Sequence, residues 1–550
     1  MGDSLTPSSE TPALAQPPKP RQPHGRAAAL AVASGILLSK LIGLIRERIF
    51  AYYFGNSMAA DAFKAAFRIP NMLQNLFGEG VLSASFIPVY ARLGAEERHE
   101  EATRTAAAIL ALLVLVASVV VLGGVLLAPL LVYAIAPGFH GEKRLLTIQL
   151  VRILFPGAAL LVLSAWCLGI LNSHRRFFLS YAAPVVWNLA MITTLVWEGR
   201  RLFMHGITAA PAAEPRLAIA LAVGSVVGSA LQFLIQLPVV LRLLRPLQWK
   251  ATFRSEHVRT IVRNFFPVFL SRGVVQVSAF VDQILASLLP TGAVAALSYA
   301  QTITQLPVSL FGMAVSAAEL PAMSAALGTA EEIAAKLRTR LAAGLSQIAW
   351  FVVPSAVAFV VLGNVVVAAI YRTGHFSSSD VVYVWSALAG SGIGLLAGTS
   401  GRLYSSAFYA LRDTRTPLNF ALIRVSITLV LGYLFSLPLP RLLGINPRWG
   451  LAGLTLSAGL AAWLEYSLLR RAMQGRIGKV AYPVSRVLRL WLAALIAGVL
   501  CYMLHRHLSI HSAILTAIAV LVPYGALYIA LTVLMKVPIP GSLLRRFKRV

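Results

Sequence analysis

Long apolar runs constrain the fold of this chain more than any other feature of its sequence. Stretches of about 18 or more mostly apolar residues recur from near residue 27 to near residue 535, and a helix of that length crosses the roughly 30 Å hydrocarbon core of a bilayer. Only 12% of the 550 residues are charged and the mean hydropathy is +0.76, whereas soluble domains carry about 25% charged residues. The sequence therefore predicts an all-α integral membrane protein.

The apolar runs number about fourteen, and their connections suggest a division into repeated parts. The longest charged connection lies between Arg242 and Arg263, after the sixth run. We predict a disordered cytoplasmic tail at 1–26, an N-terminal six-helix lobe at 27–243, a C-terminal six-helix lobe at 257–474, a terminal helix pair at 483–535 and a basic cytoplasmic tail at 536–550. Transporters often consist of two such lobes that hold the substrate between them near the midplane.

The net charge of +28 does not indicate a nucleic-acid partner, because its placement follows a membrane pattern. Lys and Arg are roughly threefold more frequent in the loops on one side of the apolar runs than on the other, as the positive-inside rule describes. This pattern predicts a multi-pass protein of the bacterial cytoplasmic (inner) membrane with both termini in the cytoplasm. Cys167 and Cys501 both lie inside apolar runs, which favours packing roles over a disulfide.

Several charged residues fall inside the apolar runs, where each costs at least about 2.5 kcal/mol on insertion scales. Asp61, Lys64 and Arg68 lie within about 60° of one another on one helix face. Some of these charged side chains could instead lie near helix ends and extend to the membrane surface, or form neutral ion pairs. This alternative suits Arg48 and Glu465. A cation-rich cavity would suit an anionic head group, because the guanidinium of Arg donates two hydrogen bonds at once to phosphate. The candidate substrate-binding residues are Lys40, Arg46, Asp61, Arg68, Arg272 and Arg402.

Two interruptions in the second apolar run mark a further candidate region. Pro70-Asn71 and then Gly78-Glu79-Gly80 are predicted to break the helix, either as packing kinks or because the segment lines a cavity. The candidate gating or structural residues are Glu47, Pro70, Asn71 and Glu79. Enzyme and ATPase signatures are absent from the sequence: it has no P-loop, no G-x-S-x-G and no His/Cys/Asp metal cluster. We therefore expect no cofactor, and transport driven by a sodium or proton gradient, the membrane potential or the substrate gradient.

Several motifs resemble those of the MurJ (MviN) lipid II flippases. They are SKLIGLIRE at 39–47, FG at 54–55, ADAF at 60–63, AFRIPN at 66–71, FGEG at 77–80, SFIPV at 85–89, the segment from LP at 306–307 to LP at 320–321, and FYALRDTRTP at 408–417. The resemblance covers roughly residues 27–535, and the N-terminal motifs are the most specific. It implies a member of the multidrug/oligosaccharidyl-lipid/polysaccharide exporter superfamily, with lipid II moved outward by alternating access.

The resemblance also implies roles for individual residues. The family's essential basic pair in the first span falls on Lys40 and Arg46, and its second-span aspartate falls on Asp61. The terminal helix pair at 483–535 corresponds to the groove that takes the polyprenyl tail. Because some family members bind sodium in the second lobe, Asp282 and Asp413 are the candidate cation-coupling residues; a salt bridge is the alternative for Asp282.

The sequence departs from the family pattern at two expected arginines. Gln74 and Thr302 occupy those positions, and Arg272 or Arg402 is predicted to compensate. The predicted partners are the polyprenyl-pyrophosphate-linked disaccharide-pentapeptide, membrane lipids and the cell-wall synthesis machinery. The alternatives are a related polysaccharide-lipid flippase, a drug exporter, a membrane-embedded glycosyltransferase or a scaffold without transport activity.

Overall fold

The computed structural model is a bundle of long helices. It describes residues 25–77, 82, 85–203, 213–244, 255–324, 329–480 and 484–538. Within those residues every regular element is helical and no strand occurs. The chain is therefore an all-α membrane protein, as its apolar runs predict.

Eight α-helices are described in the first part of the chain. They are α1 (Gly25–Phe54), α2 (Met58–Phe77), α3 (Ile87–Ala95), α4 (His99–Leu126), α5 (Ala128–Ile135), α6 (Gly141–Ser173), α7 (Phe177–Leu202) and α8 (Ala213–Leu243). α6 packs against α2, α4 and α8, and α7 packs against α1 and α8. α6 is the most enclosed of these helices, with buried residues along its whole length.

Eleven α-helices are described in the second part of the chain. They are α9 (Glu256–Ser287), α10 (Ala293–Pro307), α11 (Ala314–Ser324), α12 (Ala330–Val361), α13 (Gly363–Tyr371), α14 (Ser378–Ala410), α15 (Arg415–Ser436), α16 (Pro438–Leu442), α17 (Gly450–Ile477), α18 (Val484–His507) and α19 (Ala513–Leu534). A π-helical turn, Val308–Met313, joins α10 to α11. α14 is central here, because it packs against α10, α12 and α17.

Nine helical segments in the described ranges are long and apolar enough to span a membrane: α4, α6, α7, α8, α12, α14, the segment from α15 to α16, α18 and α19. α6, for example, begins at Gly141 and ends at Ser173. The total of fourteen spans and the division into two lobes stay predictions.

The predicted break at Pro70 is wrong. α2 continues through Pro70 and Asn71 and is described as far as Phe77. A proline removes one backbone hydrogen bond, and a helix enclosed by neighbours can tolerate that loss; Ile69 beside Pro70 is buried. The second predicted interruption, with Glu79, lies outside the described residues.

The terminal pair is held to α12 and α13. α18 packs against α12 and α19, and two tyrosines of α19 donate hydrogen bonds to backbone oxygens of α12. The hydroxyl of Tyr524 lies 2.7 Å from the oxygen of Pro354, and that of Tyr528 lies 2.7 Å from the oxygen of Trp350. Because Pro354 has no N–H, the backbone oxygen of Trp350, four residues earlier, lacks its usual helical donor. Cys167 and Cys501 are both buried free thiols, as predicted.

Candidate functional site

Asp61 joins the first part of the chain to the second. It lies in the first turn of α2 and is fully buried. Its carboxylate accepts hydrogen bonds from the backbone N–H of Gly292 at 2.7 Å and of Ala295 at 2.8 Å, and from Nζ of Lys143 at 2.5 Å. These four residues form the Asp61 cluster. The carboxylate thus caps the N-terminus of α10, where unpaired N–H groups favour a negative charge.

Further contacts surround the Asp61 cluster at the same end of the bundle. We call the contact of residues 48–57 with α10 and with residues 369–380 the Gly55 seam. Arg48 donates to the backbone oxygens of Ala369 at 2.6 Å and Ile370 at 2.8 Å. The tyrosine hydroxyl of Tyr299 donates to the oxygen of Gly55 at 2.9 Å. Arg48 therefore places a cation at the C-terminal end of α13, where the helix dipole favours positive charge.

Backbone atoms approach closely across the Gly55 seam. The N–H of His375 donates to the oxygen of Tyr52 at 2.8 Å. Gly374 has φ +54°, and a Cβ at that position would lie 2.3 Å from the same oxygen. Gly292 has φ +95°, and a Cβ there would lie 2.7 Å from the oxygen of Asn56. Side chains larger than hydrogen at these two positions would force the seam apart.

A second cluster lies deeper between α1 and α2. Glu47 accepts from Arg46 at 2.7 Å and from Nζ of Lys64 at 2.5 Å. These three residues form the Glu47 cluster, in which the side chains are only 8–15% exposed. Two cations share one carboxylate, so the cluster has an excess of positive charge inside the protein.

Aromatic rings surround the cations of the Glu47 cluster. The guanidinium of Arg46 lies 5.1 Å from the ring centre of Trp187, and the ammonium of Lys64 lies 4.3 Å from that of Phe50. Such cation–π contacts stabilise a charge away from water. Lys40, in contrast, is exposed on α1. It is six residues from Arg46, which turns it by about 240° around the helix axis, so the two predicted binding residues occupy different faces.

A third group of charges lies between α2, α9, α14, α15 and α17. Arg68 donates to Gln301 at 3.5 Å and its guanidinium lies 5.6 Å from the ring centre of Phe280. Asp282 lies within electrostatic range of Arg68 and of Arg424. We call the group formed by Arg68, Asp282, Arg402, Arg424 and Glu465 the Asp282 group.

Two further members of the Asp282 group form an ion pair between α15 and α17. Nη1 of Arg424 lies 3.1 Å from Oε2 of Glu465, and Arg402 on α14 lies within electrostatic range of both. One carboxylate oxygen of Asp282, Oδ1, is buried and has no hydrogen-bond partner among the described residues. The structure thus brings Arg68, Asp282 and Arg402 into one charged region, although they lie on three helices.

The other predicted site residues lie elsewhere. The backbone of Arg272 is in α9, and its side chain is outside the described residues. Asp413 lies in the turn between α14 and α15, where Oδ2 accepts from the hydroxyl of Thr416 at 2.7 Å and from Arg476 at 2.5 Å. Its Oδ1 accepts from the backbone N–H groups of Arg415 and Thr416. The coupling role of Asp413 stays a prediction, and its observed contacts are those of a helix cap.

We expect Asp413→Ala to lower the free energy of unfolding by about 0.5–2 kcal/mol, because the first turn of α15 loses its cap. The hydrogen bond from the Thr416 hydroxyl holds the pKa of Asp413 below its usual 3.8. The stabilisation is therefore fully present above about pH 4 and disappears as the pH falls through the lowered pKa. Melting temperatures of purified wild type and variant should differ equally at pH 7 and pH 5, and converge below pH 3.8. A constant difference at all pH values would contradict this assignment.

Sequence reasoning missed Lys143 as a functional residue. The sequence suggests only an ordinary loop cation there, but Lys143 lies in the first turn of α6 and is the charged partner of Asp61. Lys64 was recognised as sharing a face with Asp61, but its ion pair with Glu47 was not predicted. No sequence signal links Arg424 to Glu465, because the two residues are 41 positions apart.

The opposite end of the bundle has its own contact between the two parts of the chain. Nε2 of His257, in the first turn of α9, lies 3.2 Å from Oε2 of Glu101 in the first turn of α4. Arg98 binds the same carboxylate at 2.6 Å. The two parts therefore touch at both ends of the bundle, with the more extensive contact at the Gly55 seam.

Comparison with known proteins places this arrangement among membrane transporters. The family described as "Lipid II flippase MurJ" matches residues 50–521. A lipid II flippase MurJ of Burkholderia cenocepacia is 32% identical over 458 residues, which cover 82% of this chain and 84% of that protein. The family match therefore includes α2 to α18, the Asp61 cluster and the Asp282 group, whereas Arg46, Glu47 and Arg48 on α1 precede its first residue.

Solved structures share the fold. A structure titled "Lipid II flippase MurJ, inward closed conformation" superposes with a TM-score of 0.74 at 22% identity, and covers 92% of this chain and 98% of that chain. An inward-facing multidrug transporter of the MATE family, of the MOP superfamily, superposes with a TM-score of 0.62 at 16% identity and covers 82% of this chain and 99% of that chain. At these identities the likeness establishes the fold alone.

Proposed function

The chain belongs to the MurJ family of lipid II flippases, and we propose that it moves lipid II outward by opening and closing the Gly55 seam around a pyrophosphate held near the Glu47 cluster. It is a transporter and not an enzyme, and a multi-pass protein of the inner membrane. Its placement with both termini in the cytoplasm is part of the proposal, and it puts the Gly55 seam on the outer side.

One observation supports this mechanism above the others: α1 and α2 carry both the buried cations and the seam contacts. On α1, Arg46 is two residues from Arg48; on α2, Lys64 is three residues from Asp61. Any rotation or shift of these helices that follows anion binding at Arg46 and Lys64 must therefore also act on the seam.

The charge balance of the Glu47 cluster suits a pyrophosphate. Arg46 and Lys64 share the single carboxylate of Glu47, and a doubly negative ligand would supply the charge that this pair lacks. Arg46 can donate two parallel hydrogen bonds to phosphate oxygens, and Lys64 can act as a point charge beside them. Arg68, one helical turn beyond Lys64, would connect these two cations to the rest of the Asp282 group.

The seam would control release. While it is closed, the Asp61 cluster and Arg48 bind α10 and α13, and a head group could reach the cations only from the opposite end. Breaking the Glu101–His257 contact would open that end. Rocking of the two lobes would then open the seam while the polyprenyl tail stays in lipid along α18 and α19. Oδ1 of Asp282, which has no hydrogen-bond partner among the described residues, supports a cation or proton as the coupling ion.

The test is growth of a bacterium depleted of its own lipid II flippase. Wild type should restore growth, and Arg46→Ala should fail at matched protein level, with lipid II binding by the purified variant weakened at least about tenfold. The matched control is Arg92→Ala, because Arg92 is an arginine with a 63% exposed side chain that pairs with Glu96. Normal growth and binding with Arg46→Ala would overturn the assigned pyrophosphate site. Failure of well-expressed wild type would overturn the substrate assignment.

A further inference from the structure

A cavity lies where the terminal pair meets the second part of the chain. It has a volume of about 230 Å³ and is bounded by α13, the start of α14, the end of α18 and the connection into α19. This is the same end of the bundle as the Gly55 seam, since Arg372 at the mouth is followed by Gly374 and His375 of that seam. The proposed pyrophosphate site at the Glu47 cluster uses none of its lining residues.

The polar part of the lining includes one fixed positive charge, that of Arg372. The imidazoles of His505 and His511 also line the cavity, and no Asp or Glu of the described residues does. Two lining residues also carry buried polar atoms that lack a hydrogen-bond partner among the described residues: Oδ1 of Asn364 and Nδ1 of His505. Buried polar atoms normally have a partner, so the cavity offers unused hydrogen-bonding capacity next to a fixed positive charge.

The rest of the lining is apolar. Val365, Ala368, Val381, Leu508 and Ile510 form this wall. A cavity with a cationic part and an apolar wall suits an amphiphile whose anionic group is close to its apolar chain. At about 230 Å³ the space is smaller than the roughly 300–1,000 Å³ of pockets that enclose whole drug-sized molecules. It can hold a head-group phosphate but not a disaccharide-pentapeptide.

We propose that this cavity binds the phosphate ester of an anionic phospholipid, with Arg372 and His505 on the phosphate and the acyl chains along the apolar wall. The lipid would fill the junction between α13–α14 and the terminal pair. The hydrogen bonds that join the terminal pair to α12, from Tyr524 and Tyr528, lie deeper in the bundle than this junction. The site is separate from the pyrophosphate site, and the proposal does not depend on which lipid the protein transports.

The test uses the purified full-length protein and native mass spectrometry. Protein incubated with equal amounts of phosphatidylglycerol and phosphatidylcholine should retain the anionic lipid at least about tenfold better. Arg372→Gln/His505→Gln should abolish that preference. The matched control is Arg506→Gln/His507→Gln, which removes one arginine and one histidine at the exposed end of α18, outside the cavity lining.

Each outcome decides the proposal once melting temperature and gel filtration show that both double variants are folded. Loss of the preference in the cavity variant alone supports it, and displacement of the lipid by inorganic phosphate would locate recognition at the phosphate. An unchanged preference in the cavity variant, or equal loss in both variants, would overturn it. Stabilisation of wild type by inorganic phosphate but not by phosphatidylglycerol would overturn the assignment of a phospholipid to this cavity and would leave a site for free phosphate.

Discussion

Asp61→Asn is expected to abolish growth rescue in a flippase-depleted strain, because it removes the charge that holds α2 to α10. The substitution leaves Lys143 buried without its carboxylate partner, and breaking a buried ion pair costs about 3–5 kcal/mol. At about 1.4 kcal/mol per tenfold change, the equilibrium between closed and open seam would shift toward opening by about two to three and a half orders of magnitude. The protein should then fail to return to the state that accepts substrate.

Two comparisons separate this effect from a general loss of folding. Glu142→Gln changes an exposed carboxylate next to Lys143 and should restore growth fully. Spin labels at Leu145 and Ser379, both exposed at the seam end, should report a longer distance in Asp61→Asn than in wild type. An unchanged distance together with full growth would show that Asp61 does not hold the seam closed.

Glu47→Gln is expected to destabilise the protein and also to stop transport. Arg46 and Lys64 would both lose their shared carboxylate in a site that is nearly closed to water. The expected cost is again about 3–5 kcal/mol, which should appear as a lower melting temperature and reduced protein level. Glu96→Gln is the control, since that exposed carboxylate pairs with surface arginines and should change stability by less than about 1 kcal/mol.

A second substitution distinguishes the structural from the transport role of the cluster. Glu47→Gln/Lys64→Met removes the unpaired ammonium and should recover much of the melting temperature, because an apolar residue of similar size can replace a buried charge. Lipid II binding should stay weak in this double variant, since one of the two proposed pyrophosphate contacts is gone. Recovery of both properties would show that Lys64 serves stability alone.

The helix bounds could be predicted closely from the sequence because hydrocarbon thickness dictates the length of each apolar run. The predicted N-terminal lobe ends at residue 243, for example, and α8 ends at Leu243; the predicted C-terminal lobe begins at 257, and α9 begins at Glu256. Pro70 was misread because a proline signals a helix break only where no neighbour supports the backbone. That support comes from helices distant in sequence, and no local pattern reveals it.

The partners of the charged site residues could likewise not be predicted from local sequence. Helical periodicity placed Asp61 and Arg68 on one face, and both do meet α10, at Gly292 and at Gln301. Periodicity could not identify the partners, since Lys143 and Gly292 follow Asp61 by 82 and 231 residues. The assignment of Lys40 and Arg46 as a pair came from the resemblance alone, and their different helix faces explain why only Arg46 joins the buried cluster.

The Gly55 seam also determines how resistance to an inhibitor that binds there could arise. Many of its contacts end on main-chain atoms: the oxygens of Tyr52, Gly55, Ala369 and Ile370 all accept hydrogen bonds across it. Such atoms are the same whatever the side chain, and Gly374 leaves no room for a larger residue. A compound that locks the seam by presenting amide donors and acceptors to this backbone would meet a surface that point mutations can hardly alter. Drug resistance would then have to arise outside its binding site.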